Sequence, residues 1–227
     1  MRAAFHEQLD EISDLLAEMA IAAGAAMNQA TQALLNADLH AAETVISGDD
    51  HLDELTGEVE RRCYEAAALQ QPVATDLRIV IGSLRISSSL ERMGDLAVHV
   101  AKQARMRYPN SSIPNELRAT FAQMGALAEA IVAKTATVIS TKDVSLGSDI
   151  ARYDEEMDRL HRELFTMVLS PAWSHGVEAA IDATLLSRYY ERYADHAVTI
   201  ARRVVHVVTG EPYADTALED LPATSPS

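Results

Sequence analysis

Apolar residues recur along the chain at three- and four-residue spacings, as at Leu9, Ile12, Leu15, Leu16, Met19 and Ala23, and again at Leu77, Ile81 and Leu84. That is the stripe of an amphipathic helix. No segment competes with the two-residue alternation of a strand, so the pattern predicts an all-α fold. Glycine and proline fall where helices should stop or start, as in LQQPVATD (69–76) and LSPAWSHG (169–176). Helices are expected over 4–36, 38–70, 73–106, 116–141, 149–169 and 172–208, the second with a break near Ser47–Gly48. Ser170 is expected to cap the last helix, with Pro171 in its first turn.

Two prolines, two asparagines and two serines gather in RYPNSSIPNE (107–116), which reads as a linker between helices. The last stretch, 211–227, carries acid and proline with little periodicity and reads as a mobile tail. Across the linker the chain repeats itself. LERMGDLAVHVA (90–101) and YERYADHAVTIA (190–201) share six of twelve residues at an offset of 100, and DDHLDEL (49–55) resembles DEEMDRL (154–160) at an offset of 105. The architecture expected is two tandem, structurally similar three-helix bundles, over 1–107 and 116–210, with a linker at 108–115 and the tail beyond.

The repeat places acids at matched positions: Asp49 and Asp53 with Glu91 and Asp95, then Asp154 and Asp158 with Glu191 and Asp195. Each pair has the spacing i, i+4, which stacks two carboxylates on one helix face. Without a cation they repel; a hard divalent or trivalent ion reverses the sign, because carboxylate oxygens suit Mg²⁺, Mn²⁺ and iron. A lone pair of this spacing is uninformative in so acidic a chain, where it is usually a solvated helix face. Repetition at aligned places inside otherwise apolar helices is what singles these eight out.

Charge and cysteine content narrow the class. A formal net charge of −15 is the wrong sign for a protein that lives on nucleic acid. The single cysteine, Cys63, forms no internal disulfide and suggests a reducing compartment, hence the cytoplasm. The N-terminus MRAAFHEQLDEISDLL lacks an apolar signal core, and AIAAGAAM (20–27) is too short to span a bilayer.

The paired ER-x-x-D-x-A-V-x-x-A segments, the preceding LQQPVATDLRIV and the closing YYERYADHAVTIARRVVHVVTGE resemble the PhoU family of phosphate-transport accessory proteins, over about residues 5–210. The resemblance implies two similar three-helix bundles bearing multinuclear iron or zinc clusters, held by E(D)-x-x-x-D motifs that fall on the eight acids above. It also implies a cytoplasmic regulatory adaptor, peripherally associated with membrane complexes. Such an adaptor links the ATPase subunit of a phosphate ABC transporter to a membrane sensor histidine kinase, and represses the starvation response when phosphate is plentiful. A homo-oligomer, most simply a dimer, is expected, and no catalytic residue is needed.

One position departs from the family. Where many members have Asn four residues after the motif Asp, this chain has His99 in one copy and Thr199 in the other. His99 is either an additional nitrogen ligand or a partly exposed helix histidine; His161, one turn after Asp158, and His196, beside Asp195, raise the same question. Arg92 and Arg192 read as neutralising nearby acids, and Gly82, Gly94 and Gly125 as helix crossings. Two other classes compete. A ferritin-type di-metal oxidase calls for Glu-x-x-His, and no Glu here has a His three residues later; only Asp158 does, at His161. A metal-free scaffold would need its acids only for solubility.

Overall fold

The first long stripe becomes one helix, α1 (Arg2–Asn36), with Leu9, Ile12, Leu16, Met19, Ala23, Met27 and Leu34 buried along one side. The structure, a computed structural model, describes residues 2–211 and Leu218. The tail expected over 211–227 otherwise lies outside the described residues. Asp38 caps α2 (Leu39–Ser47) by accepting from the Ala41 N–H at 3.0 Å. The expected break is present: the Gly48 N–H closes onto the carbonyls of Thr44 and Val45, and α3 (Asp50–Gln70) starts afresh. The break leaves Asp49 at the N-cap of α3. Helix α4 (Thr75–Arg107) completes the first repeat, and α5 (Arg118–Thr141), α6 (Gly147–Val168) and α7 (Gly176–Thr209) form the second. Short 3₁₀ turns at Asn115–Leu117 and Val144–Leu146 lead into α5 and α6.

One segment differs from expectation. Helix α7 begins at Gly176 rather than at 172, and Ser170 caps a turn instead of a helix: its hydroxyl accepts from the Ala172 N–H and its carbonyl from the Trp173 N–H. The Trp173 indole N–H then donates to the Gly176 carbonyl, and Gly176 sits at φ +81°, a left-handed conformation that glycine adopts without strain. The segment expected as a linker joins α4 to α5 and is anchored at both a polar and an apolar residue. Ser112 donates to the Gln103 carbonyl at 2.9 Å, and Ile113 is buried.

The two repeats pack as one body. Helix α1 lies against both α4 and α5, and α7 against α4, α5 and α6, so a single apolar core runs through both bundles. Gly82, Gly94 and Gly125 mark helix crossings. A Cβ on Gly125 would stand 2.5 Å from Thr31 Cγ2, one on Gly82 2.6 Å from Val207, and one on Gly94 2.4 Å from Leu52. The last of these brings α3 against α4 beside their acidic pairs.

Among the fully buried side chains, Tyr193 has no hydrogen-bond partner for its hydroxyl. A buried polar group left unpaired is costly, whereas removing it is close to free. Tyr193→Phe is therefore expected to raise stability by about 1 kcal/mol. A rise in the urea midpoint at constant m-value is the check, and a fall would show a partner for the hydroxyl.

Candidate functional site

The acidic pairs sit on helix faces brought together within each repeat, α3 against α4 and α6 against α7. Asp49 carries its carboxyl above the ordinary carboxylate range, first through burial and then through the charges of Asp95 and Asp53. Glu91 is raised as well, by burial above all, against the pull of Arg92; Asp95, Asp53 and Asp49 add to the rise. The first four candidates thus share one electrostatic environment.

The second quartet is the more buried. Asp154 is pushed up to about 7, by burial first and then by Asp195, Asp158 and Glu191. Glu191 is raised by burial and by Asp195, although Arg188 opposes the shift. Asp154 Oδ1 and Glu191 Oε2 are both buried with no hydrogen-bond partner. Acceptor oxygens orphaned in this way fit a cation, which would repay the burial of both charges. The second quartet therefore suits a hard or borderline metal ion; the first suits one through its donor set alone.

The carboxylates do not converge as they stand. Among the described residues, no three His, Cys, Asp or Glu side chains are collected in a way that would hold a metal ion. The reason is visible in their partners. Arg92 holds Asp95 at 2.9 Å, Arg162 holds Asp158 at 3.4 Å, and Arg188 pairs with Glu191. Sequence reasoning singled out Arg92 and Arg192 but missed Arg162 and Arg188, although both stand one turn from a motif acid. These arginines are largely exposed, so each pair is worth about 1 kcal/mol or less and yields readily to a divalent ion.

The three histidines are placed differently. His99 is exposed; its Nδ1 lies 2.8 Å from the Asp95 carbonyl of its own helix, and its ring meets Tyr189 of α7 edge-on at 5.2 Å. His196 is half-buried, and burial together with Arg192 keeps it neutral. His161 spans two helices: its Nδ1 lies 2.9 Å from Ser187 Oγ on α7.

Comparison with known proteins bears on the doubled repeat. The PhoU domain matches residues 16–104 and again 121–204, once for each repeat and across each acidic quartet. The chain belongs to the PhoU family. It is 47% identical over 210 residues, 92% of its length, to the phosphate-specific transport system accessory protein PhoU homolog 2 of Mycobacterium tuberculosis, covering 99% of that protein. It is 45% identical over 217 residues to PhoU homolog 1 of Mycobacterium leprae, covering 95% of this chain and 98% of that one. Among solved structures, the PhoU regulatory protein of the phosphate transport system from Streptococcus pneumoniae superposes with a TM-score of 0.80 at 26% identity, over 91% of this chain and 98% of the other. The two tandem three-helix bundles are thus the PhoU architecture. As a PhoU protein the chain is an accessory of phosphate transport, and among the described residues no helix is long and apolar enough to cross a membrane.

Proposed function

We propose that this PhoU protein is a non-catalytic regulatory adaptor that couples a phosphate ABC transporter to a membrane sensor histidine kinase. It represses the starvation response while phosphate is plentiful. Metal ions bound by the two carboxylate quartets set the geometry in which it docks. Asp49, Asp53, Glu91 and Asp95 hold one site, and Asp154, Asp158, Glu191 and Asp195 the other. Iron or zinc are the ions of choice, with Mg²⁺ or Mn²⁺ also acceptable to oxygen donors. The protein works in the cytoplasm as a homodimer, at the surface of membrane complexes through the transporter's ATPase subunit and the kinase's cytoplasmic domains.

The observation that carries the reading is the doubling of the quartet, with orphaned buried oxygens in the second copy. Support for two partners comes from two exposed apolar faces at equivalent places in the repeat. Leu77 and Ile81 flank Arg78 and Arg85 on α4, whereas Val177 and Ile181 flank Glu178 on α7. Faces that share exposed apolar residues but differ in their charged neighbours, arginines on one and the Arg107-paired Glu178 on the other, suit different partners.

Deletion of every copy of the protein is expected to release phosphate-scavenging genes in phosphate-rich medium, read by reporter expression. Unchanged repression overturns the adaptor role. Metal analysis of the protein purified without chelator tests the other half: less than one ion per chain, with none taken up on reconstitution, leaves only a metal-free scaffold.

A further inference from the structure

The two quartets differ at one end, and the difference lies at His161. This residue follows Asp158 by three positions on α6, while Ser187 precedes Glu191 by four on α7, so both stand one turn from the facing carboxylates. The His161–Ser187 contact therefore bridges the two helices alongside the Asp158–Glu191 coupling.

The hydrogen bonding sets the tautomer. Ser187 has one hydroxyl proton, and it goes to the Thr184 carbonyl at 3.0 Å. The same choice is made in the first repeat, where Ser87, 100 residues earlier, donates to the Leu84 carbonyl at 2.9 Å. Ser187 Oγ is then the acceptor toward the imidazole, and His161 Nδ1–H is the donor. The lone pair is left on Nε2. Phe165 holds the ring from the side, edge-on at 4.8 Å. A neutral histidine whose outer N–H is given to a protein oxygen is the state in which histidine binds metals.

We propose that His161 Nε2 is a nitrogen ligand to the cation held by Asp154, Asp158, Glu191 and Asp195, making the second site selective for a transition cation such as Zn²⁺ over Mg²⁺. The inference rests on the reading that the quartets bind metal. The first quartet lacks this donor. At the matched position, 105 residues earlier, stands Thr56, whose hydroxyl donates to the Leu52 carbonyl of its own helix. His99, the other nitrogen near that quartet, has its ring turned onto Tyr189 of α7 rather than toward α3. Imidazole favours zinc and iron, whereas carboxylate oxygens alone accept magnesium equally. The two sites are therefore expected to load with different ions.

Zinc titration of the full chain by calorimetry in excess Mg²⁺ tests this. The wild type is expected to show a tight and a weak class of site, with the tight class removed by Asp154→Asn combined with Asp195→Asn. His161→Ala is expected to weaken the tight class ten- to a hundredfold and leave Mg²⁺ binding within about twofold. Thr56→His, which places an imidazole opposite Ser87, is expected to tighten the weak class by a similar factor. With Co²⁺ as probe, the visible absorption of the second site is expected to change in His161→Ala. A tight class unaffected by His161→Ala overturns the ligand assignment and leaves the metal reading standing. Zinc binding that the Asp154/Asp195 double substitution does not alter overturns both. A weak class unchanged by Thr56→His refutes the claim that this histidine is what separates the sites.

Discussion

Replacing Asp154 and Asp195 together by Asn is expected to strengthen the metal-free protein and to remove its tight metal site. The two effects have one cause. Asp154 is held protonated up to about pH 7, from an ordinary value of 3.8, because burial and three neighbouring carboxylates penalise its charge. Between pH 4 and 7 the folded chain therefore binds more protons at this residue than the unfolded chain does. Its contribution to stability is fully present below about pH 4 and is lost as pH rises through 7. A shift of that size, discounted by about half because the carboxyl is only partly buried, makes Asp154 destabilising by about 2 kcal/mol at pH 8. The Asn variant lacks that penalty, so with chelator present it is expected to unfold at higher urea than the wild type at pH 8, and at nearly the same urea at pH 4. Added zinc reverses the order: at a hundred times the dissociation constant of the second quartet the wild type gains about 2.7 kcal/mol there, and the variant gains only what the weaker first quartet supplies to both. A variant weaker than the wild type in chelator would show the quartet to be a structural ion-pair network instead of a ligand site.

The physics behind that expected reversal is also what made the candidate site stand out in the sequence. Stacked carboxylates at Glu91 and Asp95 work against the fold unless something else binds them, and a duplicated chain that carries them twice exposes the pattern at offsets of 100 and 105. Helix content was equally plain, because three- and four-residue periodicity survives over some thirty residues in α1, α4 and α7. What escaped was whatever depends on which side of a helix meets a neighbour. Arg162 and Arg188 are a different case: they pair with Asp158 and Glu191 of their own helices, at i, i+4 and i, i+3, a spacing the sequence already carried but that many exposed arginines share. The attention drawn to His99 came from its spacing after Asp95, yet its ring rests on Tyr189. His161 had the same kind of spacing, and the Ser187 hydroxyl across the interface sets it apart. The start of α7 was misplaced for a related reason: Ser170–Pro171 is a valid helix opening, but Trp173 folds back to the Gly176 carbonyl and closes a turn first.

Tyr190→Ala is expected to cost about 4 kcal/mol and to lower the stability of both repeats at once. Tyr190 immediately precedes Glu191 and is fully buried where the repeats meet. Its ring lies 6.1 Å from that of Phe121 on α5, and its hydroxyl is 2.8 Å from Thr31 Oγ1 on α1. Thr31 gives its own proton to the Met27 carbonyl at 2.8 Å, so Tyr190 is the donor in that bond and ties α7 across to α1. Beside the same spot, Gly125 admits α1 against α5 with no room for a Cβ. Removing the ring leaves a cavity at the junction of three helices, and deletions of buried aromatic side chains cost roughly 3–5 kcal/mol. For a chain of this length that is a fall of about 8–16 °C in melting temperature. Tyr190→Phe keeps the volume and loses only the hydroxyl's bond, so it is expected to cost about 1 kcal/mol. The shape of the transition decides the architecture. Because α1 packs on α5 and α4 on α7, the core is continuous, and Tyr190→Ala is expected to shift a single cooperative transition. If the second repeat instead melts early while the first keeps the wild-type midpoint, the bundles are independent domains.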